Sequence, residues 1–412
     1  MTERAERSYP RAERAQVALV ALAGVALFVV AWLVLHTGHY DDVTITDTGV
    51  YREYGDRVLD GEVPYRDFEL EYPPGALPVF VLPSLGSEGR YDALFDLLML
   101  LCGAVAVALV AVTLAAVRAS PGALAAGVGL AAFAPLLLGP VLLTRYDLWP
   151  AALLAGALAA LAAGRPRLGL GLLGLAVAAK LYPLVVLPLA LLHVARARGR
   201  REALVGLGIF AGVLALVVGP FALLGWDGLV DSVTRQAGRP LQLESLGAAA
   251  LLAAHRLGLY EAVVETSHGS QNLVGSLPDA LATAGTVTQA LAVGLVCVLF
   301  ARSRRDPTAL VVASAAAVTA FVAFGRVLSP QFMIWLLPLV PLVVVRNAVV
   351  APVLFAAALV ATQAWFPARY WDVVALERTV WLVVVRDLLL VALFAALALV
   401  LTRRGRGARG SP

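Results

Sequence analysis

Residues 168–194 read LGLGLLGLAVAAKLYPLVVLPLALLHV, and how this stretch meets a membrane decides the topology of the chain. Arg165-Pro166-Arg167 precede it and the cluster Arg196–Arg201 (RARGRR) follows it. Basic flanks favour the cytoplasmic side of a bilayer, so both ends belong on one side and the segment cannot cross once. Two full spans at about 20 residues each would need more chain than it has. Two half-helices of about 12 residues, each rising roughly 18 Å, fit as a re-entrant hairpin over 168–194. Its tip is Ala179-Lys180-Leu181-Tyr182-Pro183, where the proline biases the residue before it away from helix. Non-helical backbone at membrane depth is tolerated only when buried in protein or lining a polar cavity. Lys180 is therefore expected to reach outward into a site.

The remainder of the 412 residues agrees with a membrane setting. Hydrophobic residues make up 60% and charged residues 15%, against about 25% charged in an average soluble domain. Mean hydropathy is +0.84. The fold class is an all-α polytopic membrane protein, one integral domain over 1–412, with room for about ten full spans plus the hairpin. The apolar runs are 17–35, 93–117, 121–141, 148–163, 203–224, 280–301, 307–324, 331–345, 348–365 and 379–402. Arg118, the two clusters around the hairpin, Arg302–Asp306, Arg346 and the arginine-rich tail then fall on one side. That places both termini, 1–15 and 403–412, in the cytoplasm of a multi-pass plasma-membrane protein. The outer face collects an acidic loop (38–90), the Thr144–Asp147 turn, a second long loop (225–278), the Gly325–Gln331 turn and a shorter loop, 366–378. The arginines sit at helix ends, so the basic balance does not indicate nucleic-acid binding. Cys102 and Cys297 lie in apolar runs with no metal-ligand spacing. No P-loop or strand-borne GxGxxG suggests a nucleotide fold.

The first outer loop carries most of the polar chemistry. Twelve of the 28 Asp and Glu residues fall between Gly38 and Asp92. Thr46 or Asp47 can cap a short amphipathic helix to about Leu59, with Val50, Tyr51, Tyr54 and Val58 as a stripe for the membrane interface. A cap alone would explain Asp47, and solvated boundary charges would explain Asp41 and Asp42. Glu69 and Glu71 can line a pocket or stay solvated, and Tyr72-Pro73-Pro74-Gly75 can simply lead the chain back to the bilayer. Thirty-one of the 32 basic residues are arginine, and Lys180 is the one lysine. An intramembrane charge costs about 2.5–3.5 kcal/mol on insertion scales, so it pairs structurally, for example with Asp147, or serves a lipid-borne phosphate. Arg145, Arg235, Arg239 and Arg326 break the positive-inside trend. They suit either lipid headgroups or a substrate phosphate. His255 and His268 have no ligand-spaced partner.

The order of these features resembles the polytopic GT-C glycosyltransferases, specifically glycosyltransferase family 87, the polyprenol-phosphate-mannose-dependent α-mannosyltransferases. The residues that carry the resemblance begin in the first loop with Asp47-x-x-x-Tyr51, Gly61-x-x-Pro64-Tyr65-Arg66-Asp67-Phe68 and Glu71-Tyr72-Pro73-Pro74. Further on come Arg145-x-Asp147, Lys180-x-Tyr182-Pro183, Arg239-Pro240-x-Gln242-x-Glu244-Ser245 and Ser329-Pro330-Gln331. The resemblance implies a GT-C-type helical bundle with its site at the outer face, roofed by the two long loops. It implies a sugar donor on a polyprenyl phosphate, an acceptor that is a lipid or glycan, and a first-loop acid as base. That role maps onto Asp47, with Asp41 and Asp42 as adjacent alternatives and a divalent cation left open. Lys180, Arg326, Arg239 and Arg145 are then the expected phosphate ligands. Asp41, Tyr65, Glu71, Tyr72, Asp147, Tyr182, Glu244 and Gln331 are expected to line the substrate pocket.

The chemistry is consistent with that set. Transfer from a phosphate ester needs one carboxylate to take the acceptor's proton. The leaving group is already a phosphate, so it needs positive charge rather than the second carboxyl used in glycoside hydrolysis. Two readings from other classes remain at this level: a transporter or flippase of lipid-linked sugars, for which a broken helix is a known device, and a non-catalytic subunit of envelope assembly.

Overall fold

The computed structural model describes residues 11–40, 45–87, 89–303, 306–346 and 348–406; Asp41 and Asp42 lie outside them. Helix α1 (Arg11–Val34) leads into the first loop, which carries α2 (Thr48–Leu59) and α3 (Leu77–Ser84). Then come α4 (Tyr91–Ala116), α5 (Pro121–Leu138), α6 (Leu148–Ala162), α7 (Pro166–Ala179), α8 (Leu187–Arg198) and α9 (Arg200–Leu224). The second loop folds as α10 (Trp226–Ala237), β1 (Leu241–Gln242), α11 (Leu246–Arg256), β2 (Val264–Ser267) and β3 (Ser270–Leu273). The chain ends with α12 (Ser276–Arg302), α13 (Pro307–Phe324), α14 (Phe332–Leu336), α15 (Val350–Gln363), α16 (Tyr370–Val374) and α17 (Val380–Arg406).

Local sequence explains where these helices begin. Ser120, Ser245 and Asp306 each accept a backbone N–H from the residue three positions on, at the starts of α5, α11 and α13, the usual N-cap geometry. Pro121 and Pro307 occupy the first turn of α5 and α13, where a missing N–H costs nothing. Helices α6 and α13 are Ala-rich and buried along almost their whole length, since small side chains let neighbouring backbones approach closely. Helices α9 and α12 are mostly exposed and apolar, the pattern of a lipid-facing perimeter.

Among the described residues seven helices are long and apolar enough to cross a membrane: α1, α4, α5, α9, α12, α13 and α17. The other three expected spans are shorter. Helix α6 has 15 residues and α15 has 14, and the run from 331 divides into α14 and a 3-10 stretch over Val340–Arg346. At 1.5 Å per residue α6 rises roughly 22 Å, less than the roughly 30 Å hydrocarbon core. The non-helical residues just before α6 and α14 include Arg145, Asp147 and Gln331, so shortening these helices frees backbone for polar groups.

The segment 168–194 folds back on itself at Lys180, which ends α7 in an extended conformation (φ −161°, ψ 143°). A 3-10 turn over Tyr182–Val186 starts the return through α8. The two basic flanks meet: Arg198 Nη2 donates to the Gly164 carbonyl at 3.2 Å, and Arg167 forks onto Glu202 at 2.9 and 3.2 Å. Arg196 bonds the carbonyls of Phe300 and Ala301, so the end of α12 joins the same basic end of the bundle.

One expectation about the loops needs correction. The stripe on α2 does not lie on a membrane surface. It packs on α3, with Tyr51 stacked on Phe80 at 4.6 Å; Tyr51 and Gly55 are its buried positions, and Val50 is exposed. The second loop carries a small sheet between its helices. Its three strands form an antiparallel sheet in the order β1-β3-β2. The β2–β3 turn, His268-Gly269, has φ of 53° and 66°, the left-handed pair that suits a two-residue hairpin.

Candidate active site

The first loop, the turn before α6 and the break at Lys180 come together around three tyrosines. Tyr146 has its ring 5.6 Å from Tyr51 and 5.0 Å from Tyr72. Asp47 lies at one edge of this wall. It precedes α2 at the N-cap position, yet its side chain makes no capping bond; Thr46 Oγ1 accepts the Thr48 N–H instead. The Asp47 carboxylate turns inward to Arg145, with Nη1 and Oδ1 2.5 Å apart, and accepts from the Tyr51 hydroxyl at 3.3 Å. Arg145 is 6% exposed and Asp47 31%, so the pair joins a buried cation to an accessible carboxylate. The Arg145 Nε has no hydrogen-bond partner among the described residues. Burial pushes the phenols of Tyr51 and Tyr72 well above their usual range, keeping them neutral donors.

Lys180 occupies the other edge. Its ammonium donates to Asp147 Oδ1 at 2.6 Å and sits 4.5 Å from the Tyr146 ring, 5.3 Å from Trp335 and 5.9 Å from Tyr72. These are distances at which aromatic faces attract a cation. The same Asp147 oxygen accepts from Trp335 Nε1 at 2.5 Å. Tyr182 stacks on Trp335 with parallel rings 4.2 Å apart. Asp147 is 1% exposed and Lys180 15%, and Asp147 Oδ2 has no partner among the described residues. Only one of the ammonium's three hydrogens is committed to a carboxylate, so a partly accessible cation remains on this side of the wall.

The Tyr72–Gly75 turn does more than return the chain to the bundle. A Cβ on Gly75 would lie 2.5 Å from the Ala178 carbonyl carbon and 2.7 Å from the Ala179 nitrogen. These are backbone atoms immediately before Lys180, and the Trp149 indole donates to the Gly75 carbonyl at 3.0 Å. Only glycine lets the first loop seat against the break. Gly75→Ala is expected to lower stability by about 1–3 kcal/mol and to displace Lys180. Thermal unfolding of the purified protein and turnover of the same sample check both effects.

The other expected site residues lie on neighbouring elements. Tyr65 donates to the Tyr72 carbonyl at 2.5 Å. Glu71 accepts from Gln236 at 3.0 Å and lies 3.9 Å from Arg239. Arg239 is tied to the β2–β3 hairpin, through the His268 carbonyl at 3.2 Å and Ser270 Oγ at 2.9 Å. Arg326 donates to Thr286 at 2.8 Å and to the Arg239 carbonyl at 3.3 Å. Arg239 and Arg326 thus brace the second loop, while Lys180 and Arg145 lie against the Tyr51–Tyr72–Tyr146 wall. Gln331 precedes α14 without a capping bond. Among the described residues no group of three or more His, Cys, Asp or Glu side chains is placed to hold a metal ion.

Glu244 belongs to a separate buried group. Arg386, inside α17 and fully buried, donates to the Glu244 carbonyl at 2.6 Å and to Asp387 Oδ1 at 2.5 Å. Glu244 Oε2 has no partner among the described residues. Burial raises the Glu244 carboxyl to about 7, with Arg386 pulling against it. The folded state therefore holds a proton that the unfolded chain releases near pH 4.5, and stability is expected to fall as pH rises from about 4.5 to about 7. Glu244→Gln should flatten that slope; thermal midpoints across the interval, in wild type and variant, check it. Trp335 and Arg386 were not singled out in the sequence. Tryptophan in an apolar run signals core or interface, but an Arg-Asp pair inside the last span is a signal that intramembrane charge alone could have raised.

Comparisons with known proteins agree with this architecture. The fold is similar to a crystal structure of ArnT from Cupriavidus metallidurans bound to undecaprenyl phosphate, with TM-score 0.50 and 16% identity, covering 94% of this chain and 78% of that one. At that identity the likeness concerns the fold, a GT-C-type helical bundle. No curated protein matches the chain. The sequence profile of glycosyltransferase family 87 matches residues 70–330, a span that holds the Tyr72–Gly75 turn, Arg145, Asp147, Lys180 and the second loop. The chain belongs to glycosyltransferase family 87.

Proposed function

We propose that the protein transfers a sugar, mannose on the family resemblance, from a polyprenyl-phosphate donor to a lipid or glycan acceptor at the outer face of the plasma membrane. The single observation behind this reading is the split of the site into an accessible carboxylate, Asp47, and a caged cation, Lys180, on either side of one aromatic wall. In this reading Asp47 takes the proton from an acceptor hydroxyl as its oxygen attacks the anomeric carbon. The bond from that carbon to the phosphate oxygen breaks, and its electron pair leaves with the phosphate. Lys180 stabilises the charge that develops there. A single displacement inverts the anomeric centre, so a β-linked donor gives an α-linked product. The ArnT structure supports a polyprenyl phosphate as the carrier, because that protein holds undecaprenyl phosphate in a bundle of the same fold. The basic end formed by Arg167, Arg196 and Arg198 supports a cytoplasmic placement for the opposite pole, with both termini there and membrane lipids around the apolar perimeter.

The test is transfer of radiolabelled sugar from synthetic polyprenyl-phosphate sugars by the purified chain. Labelled product, or labelled free sugar released to water, is the expected result. No turnover of any such donor, together with passage of the intact lipid-linked sugar across proteoliposomes, would overturn the reading in favour of transport.

A further inference from the structure

A cavity of about 480 Å³ opens between the first loop, α10 and the β2–β3 hairpin. That volume is in the range of small-ligand sites. Tyr54, Tyr65 and Phe68 contribute aromatic surface, while Asp231, Gln236 and Arg239 contribute polar groups from the opposite side. It adjoins the Asp47 wall without being part of it: the Tyr54 ring lies 6.4 Å from Tyr72 and 6.0 Å from Phe68.

The charges of its lining decide what it can hold. Arg66 is forked onto Asp67 at 2.9 and 2.8 Å. Arg235 is forked onto Glu69 at 2.5 and 2.6 Å. Arg239 faces Glu71 at 3.9 Å; its Nη1 and Nη2 donate to Gln236, His268 and Ser270, and its buried Nε has no partner among the described residues. Each guanidinium thus has its own carboxylate, and Asp231 adds a further carboxylate with no ion partner among the described residues. A phosphate or other anion would meet no surplus positive charge here. A neutral polyhydroxyl ligand would find acceptors for its hydroxyls and aromatic faces for its C–H surfaces.

Geometry also sets its minimum length. Asp47, Tyr51 and Tyr54 follow one face of α2 at spacings of four and three. Tyr54 is seven residues beyond Asp47, roughly 10 Å along the axis. A ligand seated against Tyr54 that also presents a hydroxyl to Asp47 must be longer than a single pyranose ring.

We propose that this cavity is the acceptor site, and that it takes a neutral oligosaccharide of at least two sugar units, held by Asp231, Gln236 and the Tyr54–Phe68 surface. The proposal rests on the glycosyltransferase reading for its direction, with the reacting hydroxyl toward Asp47. Helix α10 forms the outer wall. Its inner face is glycine where it meets the first loop, since a Cβ on Gly228 would lie 2.0 Å from the Tyr65 carbonyl oxygen. The Arg235–Glu69 fork and the Gln236–Glu71 bond pin it there.

The full-length chain in nanodiscs would be titrated with α-linked mannotriose, with the same trisaccharide carrying a terminal phosphate, with methyl α-mannoside and, separately, with undecaprenyl phosphate. Mannotriose should bind, the phosphorylated form and the monosaccharide at least tenfold more weakly. The double variant Asp231→Ala/Gln236→Ala should lose tenfold or more in mannotriose affinity while its affinity for undecaprenyl phosphate is unchanged. No binding of mannotriose to the wild type, equal binding by the double variant, or preference for the phosphorylated trisaccharide overturns the proposal. Failure of the wild type to bind undecaprenyl phosphate would count against the donor reading and is read out separately.

Discussion

Asp47→Asn is expected to reduce sugar transfer by about 10²- to 10⁴-fold, the usual contribution of a positioned general base, with little change in donor KM. The substitution keeps the shape of the side chain: its oxygen still accepts from Arg145, and its NH2, in place of the oxygen that Tyr51 bonds, donates to the Tyr51 hydroxyl. Arg145 loses its countercharge, but Asp47 is about a third exposed, so water screens much of that loss and the fold should persist. A purely structural carboxylate would also lower activity, by releasing Arg145. The double variant Asp47→Asn/Arg145→Met separates the two roles. If Asp47 only neutralises Arg145, removing both charges restores transfer. If Asp47 is the base, transfer stays lost in the double variant. Turnover of a polyprenyl-phosphate sugar by Asp47→Asn at the wild-type rate would end the assignment. Thermal unfolding of each variant shows whether the comparison is between folded proteins.

The parts of this site that could be read from sequence are those where one residue carries an unusual physical cost. Lys180 was visible because a charge and a proline interrupt an apolar run whose two flanks are both basic, and the structure places a break there. The helices were visible because apolar runs of their length have few alternatives, although the runs for α6 and α15 do not show how short those helices are. What one-dimensional pattern does not carry is direction. The stripe on α2 shows that one face is covered, and equally suits a membrane surface or α3. Arg239 and Arg326 have the chemistry of phosphate ligands, but their hydrogen bonds run to the hairpin and to Thr286. The strands of the second loop are two and four residues long, too short for alternation to register. Trp335 completes the Lys180 cage from more than 150 positions along the chain, a partnership that only the packing of α14 against the break creates.

Lys180→Met is expected to have two effects, and their separation identifies the lysine's role. The first is structural. Asp147 would keep only the Trp335 indole as a donor to its carboxylate while remaining 1% exposed. Removing one partner of a buried pair costs about 3–5 kcal/mol, so the single variant should unfold at a clearly lower temperature. The second effect is on the reaction, because the leaving phosphate would lose a preorganised cation, a change of about 10²- to 10³-fold in comparable electrostatic sites. Lys180→Met/Asp147→Asn removes the unpaired charge while leaving an amide oxygen to accept from Trp335. That double variant should recover most of the lost stability. If the lysine only balances Asp147, transfer recovers with it. If the lysine grips the donor phosphate, transfer stays depressed by the same factor and undecaprenyl-phosphate affinity falls with it. The aromatic cage gives a further discrimination. Tyr146 and Trp335 lie 4.5 and 5.3 Å from a compact ammonium, and a planar guanidinium has a different shape and hydration. Lys180→Arg should therefore retain charge yet recover little transfer, and full activity in that variant would show that net charge alone, rather than the caged geometry, sustains the reaction.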